Sequence, residues 1–248
     1  MLNIKLKTML KKKSILTLLA LFTGGFVPIQ LVTLSFWYSQ YYVGETLGPK
    51  MVRTAHEFAI PYIEFLYIPS IIIFIGILFY SKRNFPDLYR RLNVGIIAGI
   101  VLTIVLDAVR QNGVINGWLP KDVPMEFGKM VTGSSSFNPI FIVGLIVHFL
   151  NGISFGITFT LLFGKLKSYW RAVFVGAIWL GVIEVGMMTG PPMAKMVGLF
   201  GVNWAFPQLF LLTLTAHVFS GIACGLMAQL LLKDEDRQWL LPYLKSNK

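Results

Sequence analysis

The chain has 248 residues, 55% of them hydrophobic and 13% charged, with a mean hydropathy of +0.68. Soluble domains carry charge on about a quarter of their residues, so this balance excludes a soluble enzyme or binding module and predicts an all-α, polytopic membrane helix bundle. The net charge of +11 does not point to nucleic acid, because membrane proteins gather Lys and Arg in the loops of one face. The one cysteine, Cys224, excludes a disulfide framework or a cysteine-built metal site within one chain.

Residues 1–13 contain Lys5, Lys7, Lys11, Lys12 and Lys13, and the uncharged run 14–37 follows. That run is too long for the apolar core of a signal peptide and meets no small-residue cleavage site, so it is predicted to be the first span. Five more spans are predicted at about 58–80, 94–112, 139–164, 172–190 and 207–232, each near the ~20 helical residues that cross a bilayer core. The basic N-terminus, Lys82, Arg83, Arg90, Arg91, Lys165, Lys167, Arg171 and the basic residues of the tail 233–248 then fall on one side. This bias predicts both termini in the cytoplasm. Asp122, Pro124 and Glu126 form a helix-start pattern, so a short outer helix is expected at 123–131 and a second at 192–199. The tail, with Trp239, Leu240 and Leu241 among charges, is expected to form a short helix at the membrane surface.

Lys50-Met51-Val52, Lys129-Met130-Val131 and Lys195-Met196-Val197 each lie in an outer loop, which predicts three tandem hairpins related by an axis along the membrane normal. The fourth and sixth spans also share a motif. His148-Phe149-Leu150-Asn151-Gly152 runs on to Gly156, and His217-Val218-Phe219-Ser220-Gly221 runs on to Gly225. Positions i, i+4 and i+8 share a helix face, and Gly-xxx-Gly lets helix backbones approach closely in lipid. Gly152, Gly156, Gly221 and Gly225 are therefore expected to pack spans 4 and 6 against each other. The first hairpin matches least, with Glu64 in the histidine position and Ile68 and Ile72 replacing the glycines.

Asp107, His148, Glu184 and His217 fall near one level of the bilayer when counted along their spans at ~1.5 Å per residue. Ionisable groups at that depth are costly, face the bundle interior and are candidates for function. Three readings compete, and the second is the one adopted, with the other two as alternatives. The first is interhelical hydrogen bonding in a purely structural subunit. The second is a metal or haem site in a redox or accessory subunit, with His148 and His217 as ligands joined by Glu64, and with Asp107 and Glu184 as ligands or supports. The third is a permease for a proton, a metal or a small solute. Arg110, one turn after Asp107, is expected to form an ion pair with it, which weakens Asp107 as a ligand.

At Asp107-x-x-Arg110, Gly117-Trp118-Leu119-Pro120-x-Asp122-x-Pro124-x-x-Phe127-Gly128, His148-Phe149-Leu150-Asn151-Gly152 and Pro191-Pro192-Met193, the chain resembles a loose family of uncharacterised bacterial polytopic inner-membrane proteins. The likeness covers about residues 94–232. It implies a bacterial cytoplasmic membrane and no particular chemistry. No Walker loop, Rossmann glycine pattern or His-Glu-x-x-His motif occurs. The expected partners are the lipid bilayer, with membrane-complex subunits or a second copy of the chain beside it.

Overall fold

The structure is a computed structural model that describes residues 2–43, 48–190 and 193–245. Pro191, Pro192, the start expected for the second outer helix and the last three residues of the tail lie outside them. The described residues contain helices and no strand. Six helical runs are long and apolar enough to cross a membrane: Lys11–Val43, Pro49–Asn84, Pro86–Ile115, Phe137–Phe163, Tyr169–Thr189 and Gln208–Leu231.

The first two runs are composite. Helix α1 (Leu2–Ala20) passes through a π-helical segment, Leu21–Phe26, into α2 (Val27–Val43). Helix α3 (Pro49–Tyr62) passes through a second, Ile63–Tyr67, into α4 (Ile68–Asn84). Pro61 lies inside α3 and lacks the amide that would bond back one turn; the wider turn that follows absorbs the lost bond. The run therefore starts well outside the expected 58–80. Its first turns carry Arg53 and Glu57, paired at 3.2 Å, and no helix-breaking residue separates them from the apolar run.

Helix α5 (Pro86–Ile115) opens on a proline at its first position with Asp87 in the first turn, a start that suits the orphan amides and the helix dipole. At ~45 Å it is longer than a bilayer core is thick. Helix α6 (Val123–Thr132) starts after Asp122 and stops at Gly133, a left-handed position with φ 61°. Helices α7 (Phe137–Phe163), α8 (Tyr169–Thr189), α9 (Met193–Val197), α10 (Gln208–Leu231) and α11 (Leu240–Lys245) complete the order. Outward faces are apolar, as at Phe65, Trp170 and Ile115, which suits lipid tails that are themselves hydrocarbon.

Four helices form the centre, and glycine sets their distances. A Cβ on Gly99 would strike Ile153 and Gly152 of α7, and one on Gly156 would strike the carbonyl of Gly95. Gly176 of α8 and Gly221 of α10 are related in the same way, each blocked by the other's carbonyl, while Gly225 lies on Ala172. The two motif glycine pairs therefore do not meet each other. Gly152 and Gly156 seat α7 on α5, and Gly221 and Gly225 seat α10 on α8. The expected contact between spans 4 and 6 is corrected accordingly: each stripe finds small residues on its own hairpin partner, where Gly95, Gly99, Ala172 and Gly176 wait.

The two chain ends meet at one end of the bundle. The Arg91 side chain is fully buried. Its Nη2 donates to the carbonyls of Asp236 at 2.8 Å and Gln238, and its guanidinium lies 3.9 Å from the centre of the Tyr243 ring. Lys13 stands 4.1 Å from the same ring and 2.6 Å from Asp87. Burial, with Asp87 and Asp236 adding to it, pushes the Tyr243 phenol above its usual range. The ring therefore stays neutral beneath its two cations. The tail is held against α1 and α5, with Ser14 donating to the Leu244 carbonyl at 2.7 Å.

Replacing Gly99 or Gly221 by Leu is expected to destabilise the bundle by ~3 kcal/mol or more, at or beyond the usual range for overpacking. Gly76→Leu, at a site with nothing within 4 Å, is expected to leave stability unchanged or raised. Thermal unfolding in mild detergent, followed by circular dichroism, checks this; equal losses at all three positions contradict the packing.

Candidate functional site

Beyond the glycine crossings, towards the end that carries α6, each central hairpin places a carboxylate opposite a histidine. In α5 and α7, His148 Nε2 lies 3.0 Å from Asp107 Oδ1. A carboxylate only accepts, so Nε2 carries the proton. Arg110 Nε donates to the same oxygen at 3.0 Å, and Arg110 Nη1 donates to Asp122. A continuous polar chain thus runs from the loop before α6 into the bundle: Asp122, Arg110, Asp107, His148. Asp122 opens the helix-start pattern of α6 and stands at its N-cap position. Its side chain makes no cap hydrogen bond, because the guanidinium takes it instead.

In α8 and α10, His217 Nδ1 lies 2.8 Å from the Thr213 carbonyl and 3.1 Å from Glu184 Oε2. The carbonyl cannot donate, so the proton on Nδ1 points to it, and in the singly protonated ring the lone pair is on Nε2. Glu184 therefore gains only proximity from the imidazole. Both of its oxygens are buried without a hydrogen bond, and the side chain is 1% exposed.

His148 of the first pair and both members of the second, Glu184 and His217, border one cavity of about 270 Å³, just below the ~300–1,000 Å³ of typical small-molecule sites. Its walls come mainly from apolar side chains, such as Phe36, Leu102, Phe155 and Leu212. Its polar border includes His148, Asn151, Glu184, His217, Arg110 and Lys121. The Asn151 Oδ1 atom is also buried without a partner. Lys121 is paired with Glu126 at 3.4 Å, and Glu126 with Lys129 at 2.8 Å. Helix α6 covers this region from outside. Close backbone contacts of Gly128 with Ile140, and of Gly144 with Pro124, clamp it onto α7, and His56 holds it from α3 through a 2.8 Å contact with the Met130 carbonyl.

The five side chains expected to share one metal or haem centre stand instead as two pairs and an outlier. Glu64 is exposed on the π-helical segment beside Phe65 and does not border the cavity. Among the described residues, no group of three or more His, Cys, Asp or Glu side chains is placed to hold a metal ion. The bulk-free stripes beside the histidines offer no slot for a flat macrocycle either, because α5 and α8 fill them. Sequence reasoning missed Asn151 and Thr213. The former was visible inside the histidine motif; the latter, one turn before His217, gave no signal of its own.

Comparison with protein-family models, with curated proteins and with solved structures finds no match.

The two carboxylates differ in what they hold together. Asp107→Asn removes the negative charge that Arg110 and His148 share, and is expected to cost ~2 kcal/mol or more. Glu184→Gln removes a charge whose only polar neighbours among the described residues are His217 and Thr213 and is expected to cost less than about 1 kcal/mol. Unfolding of both variants in the same detergent tests this; a larger loss at Glu184 contradicts the assignment.

Proposed function

We propose that this chain is a multi-pass protein of a bacterial cytoplasmic membrane, with both termini in the cytoplasm. In this reading it is a ligand-binding protein of the permease type, which takes a small, mainly apolar molecule into the outer half of its bundle. The observation that carries the reading is the cavity of about 270 Å³ bordered by His148, Glu184 and His217. An apolar space bordered by a few convergent polar groups is the usual form of a small-molecule site. Intramembrane ionisable groups around such a space are retained at a cost that a merely structural bundle avoids.

The orientation rests on the basic residues. Lys13, Arg90, Arg91 and Lys165 gather where the chain ends meet, the side that the positive-inside rule assigns to the cytoplasm. The cavity then belongs to the opposite half, and the glycine crossings lie between it and the cytoplasm. The repetition of a glycine crossing and a His–carboxylate pair in α5–α7 and α8–α10 supports their origin as tandem parallel hairpins, as in carriers that bind at a repeat interface. The metal or haem reading is the weaker one, since it needs ligands that converge.

The test is a panel of small apolar alcohols, amides and amines added to purified protein, with melting temperature as readout. At least one member is expected to raise it in a saturable way. Ala216→Phe, which places a ring in the cavity, is expected to remove the response while keeping a cooperative melt. A response in Ala216→Phe equal to that of the wild type contradicts the site, as does a panel without any response.

A further inference from the structure

The polar border of the cavity is unbalanced. Its two cations are already matched: Arg110 lies between Asp107 and Asp122, and Lys121 lies on Glu126. Its unmatched atoms are acceptors. Glu184 Oε1 and Oε2 and Asn151 Oδ1 are buried with no hydrogen-bond partner. The Nδ1 proton of His217 is committed to the Thr213 carbonyl, so the neutral ring offers only the lone pair of Nε2. All three residues border the same space. A buried acceptor left without a donor costs free energy, and a buried carboxylate costs more still, unless something that donates occupies the space beside it.

We propose that the cavity takes a small basic amphiphile, a protonated amine on a compact hydrocarbon body, with Glu184 as its counter-ion and Asn151 and His217 as further acceptors. The proposal rests on the ligand-binding reading above and names the chemistry of its ligand. An ammonium group has three donors and no acceptor, which matches three acceptor residues. The walls supplied by Phe36, Leu102, Phe155 and Leu212 suit the hydrocarbon body. A carboxylate ligand meets the opposite situation: it would face Glu184 at close range, while the cations that could hold it are engaged. A neutral alcohol supplies one donor and stands between the two.

The experiment compares three probes with the same rigid body, 1-adamantylamine, 1-adamantanol and 1-adamantanecarboxylate, at neutral pH. Binding to the full-length protein in mild detergent is measured by equilibrium dialysis, with partition into protein-free micelles subtracted. The amine is expected to bind about tenfold or more tighter than the carboxylate, with the alcohol between. Glu184→Gln is expected to bring amine and carboxylate to within about threefold of each other, while Asn151→Ala weakens the amine and leaves the carboxylate unchanged. The comparison of head groups in the wild type stands even where a variant fails to fold. Equal binding of all three probes, or tighter binding of the carboxylate, overturns the amine assignment and leaves the ligand-binding reading intact. Retention of the full amine preference in Glu184→Gln also overturns it. Binding of none of the three counts against both.

Discussion

Everything in the centre of this bundle depends on backbone meeting backbone at glycine. Lipid tails give helices no hydrophobic reason to associate, so contact must come from close packing and interhelical polar bonds. Gly95 and Gly99 against Gly152 and Gly156, and Gly176 against Gly221, supply that packing twice. At these crossings the helices are too close for any side chain. Gly152 itself borders the cavity, whose walls continue in larger side chains such as Leu102, Phe155 and Leu212. The crossings also fix register. Asp107 lies two turns beyond Gly99, and His148 one turn before Gly152, so a backbone contact at the glycines brings the carboxylate and the imidazole together at 3.0 Å.

The same geometry explains why two outwardly equal pairs behave differently. Asp107 is drawn into a chain that ends at Asp122 in the loop, so its charge is shared with Arg110 and reaches the surface of the bundle. Glu184 has no such connection. Its neighbour His217 turns its proton to a carbonyl of its own helix, and the carboxylate is left buried against the cavity without a bond. One pair braces the loop before α6, and the other borders the cavity with its carboxylate buried. At the opposite end, Arg91 and Lys13 grip Tyr243 and the tail carbonyls, which ties the chain ends to α1 and α5.

Much of the fold is legible in the sequence, because a membrane imposes length and apolarity on each span and the Lys and Arg residues mark the gaps. The six apolar runs are visible in this way, although α3 and α5 extend past the expected spans, where periodicity gives no stop. Helix α6 follows from Asp122, Pro124 and Glu126. The one-turn spacing of Asp107 and Arg110 makes their ion pair a local matter. What the sequence does not reveal is partnership. A Gly-xxx-Gly stripe indicates that a helix will be approached closely, not by which neighbour; spans 4 and 6 share a motif because each meets its own hairpin partner, not because they meet each other. Likewise, a shared depth for His148, His217, Asp107 and Glu184 fixes height and leaves azimuth open, and azimuth separates them into pairs. Glu64 shares the motif position, yet the π-helical turn after Pro61 leaves it exposed.

Chemical accessibility along α10 tests most directly whether the bundle is sealed at its glycine crossings and open beyond them. Native Cys224 is fully buried, beside Gly225, while Thr213 borders the cavity one turn before His217. A small, uncharged thiol reagent applied to the folded protein in membranes is expected to modify Thr213→Cys, in a Cys224→Ala background, at a rate far above that of Cys224 in the wild type. Modification of Cys224 as fast as that of Thr213→Cys, under conditions where the protein stays folded, contradicts it.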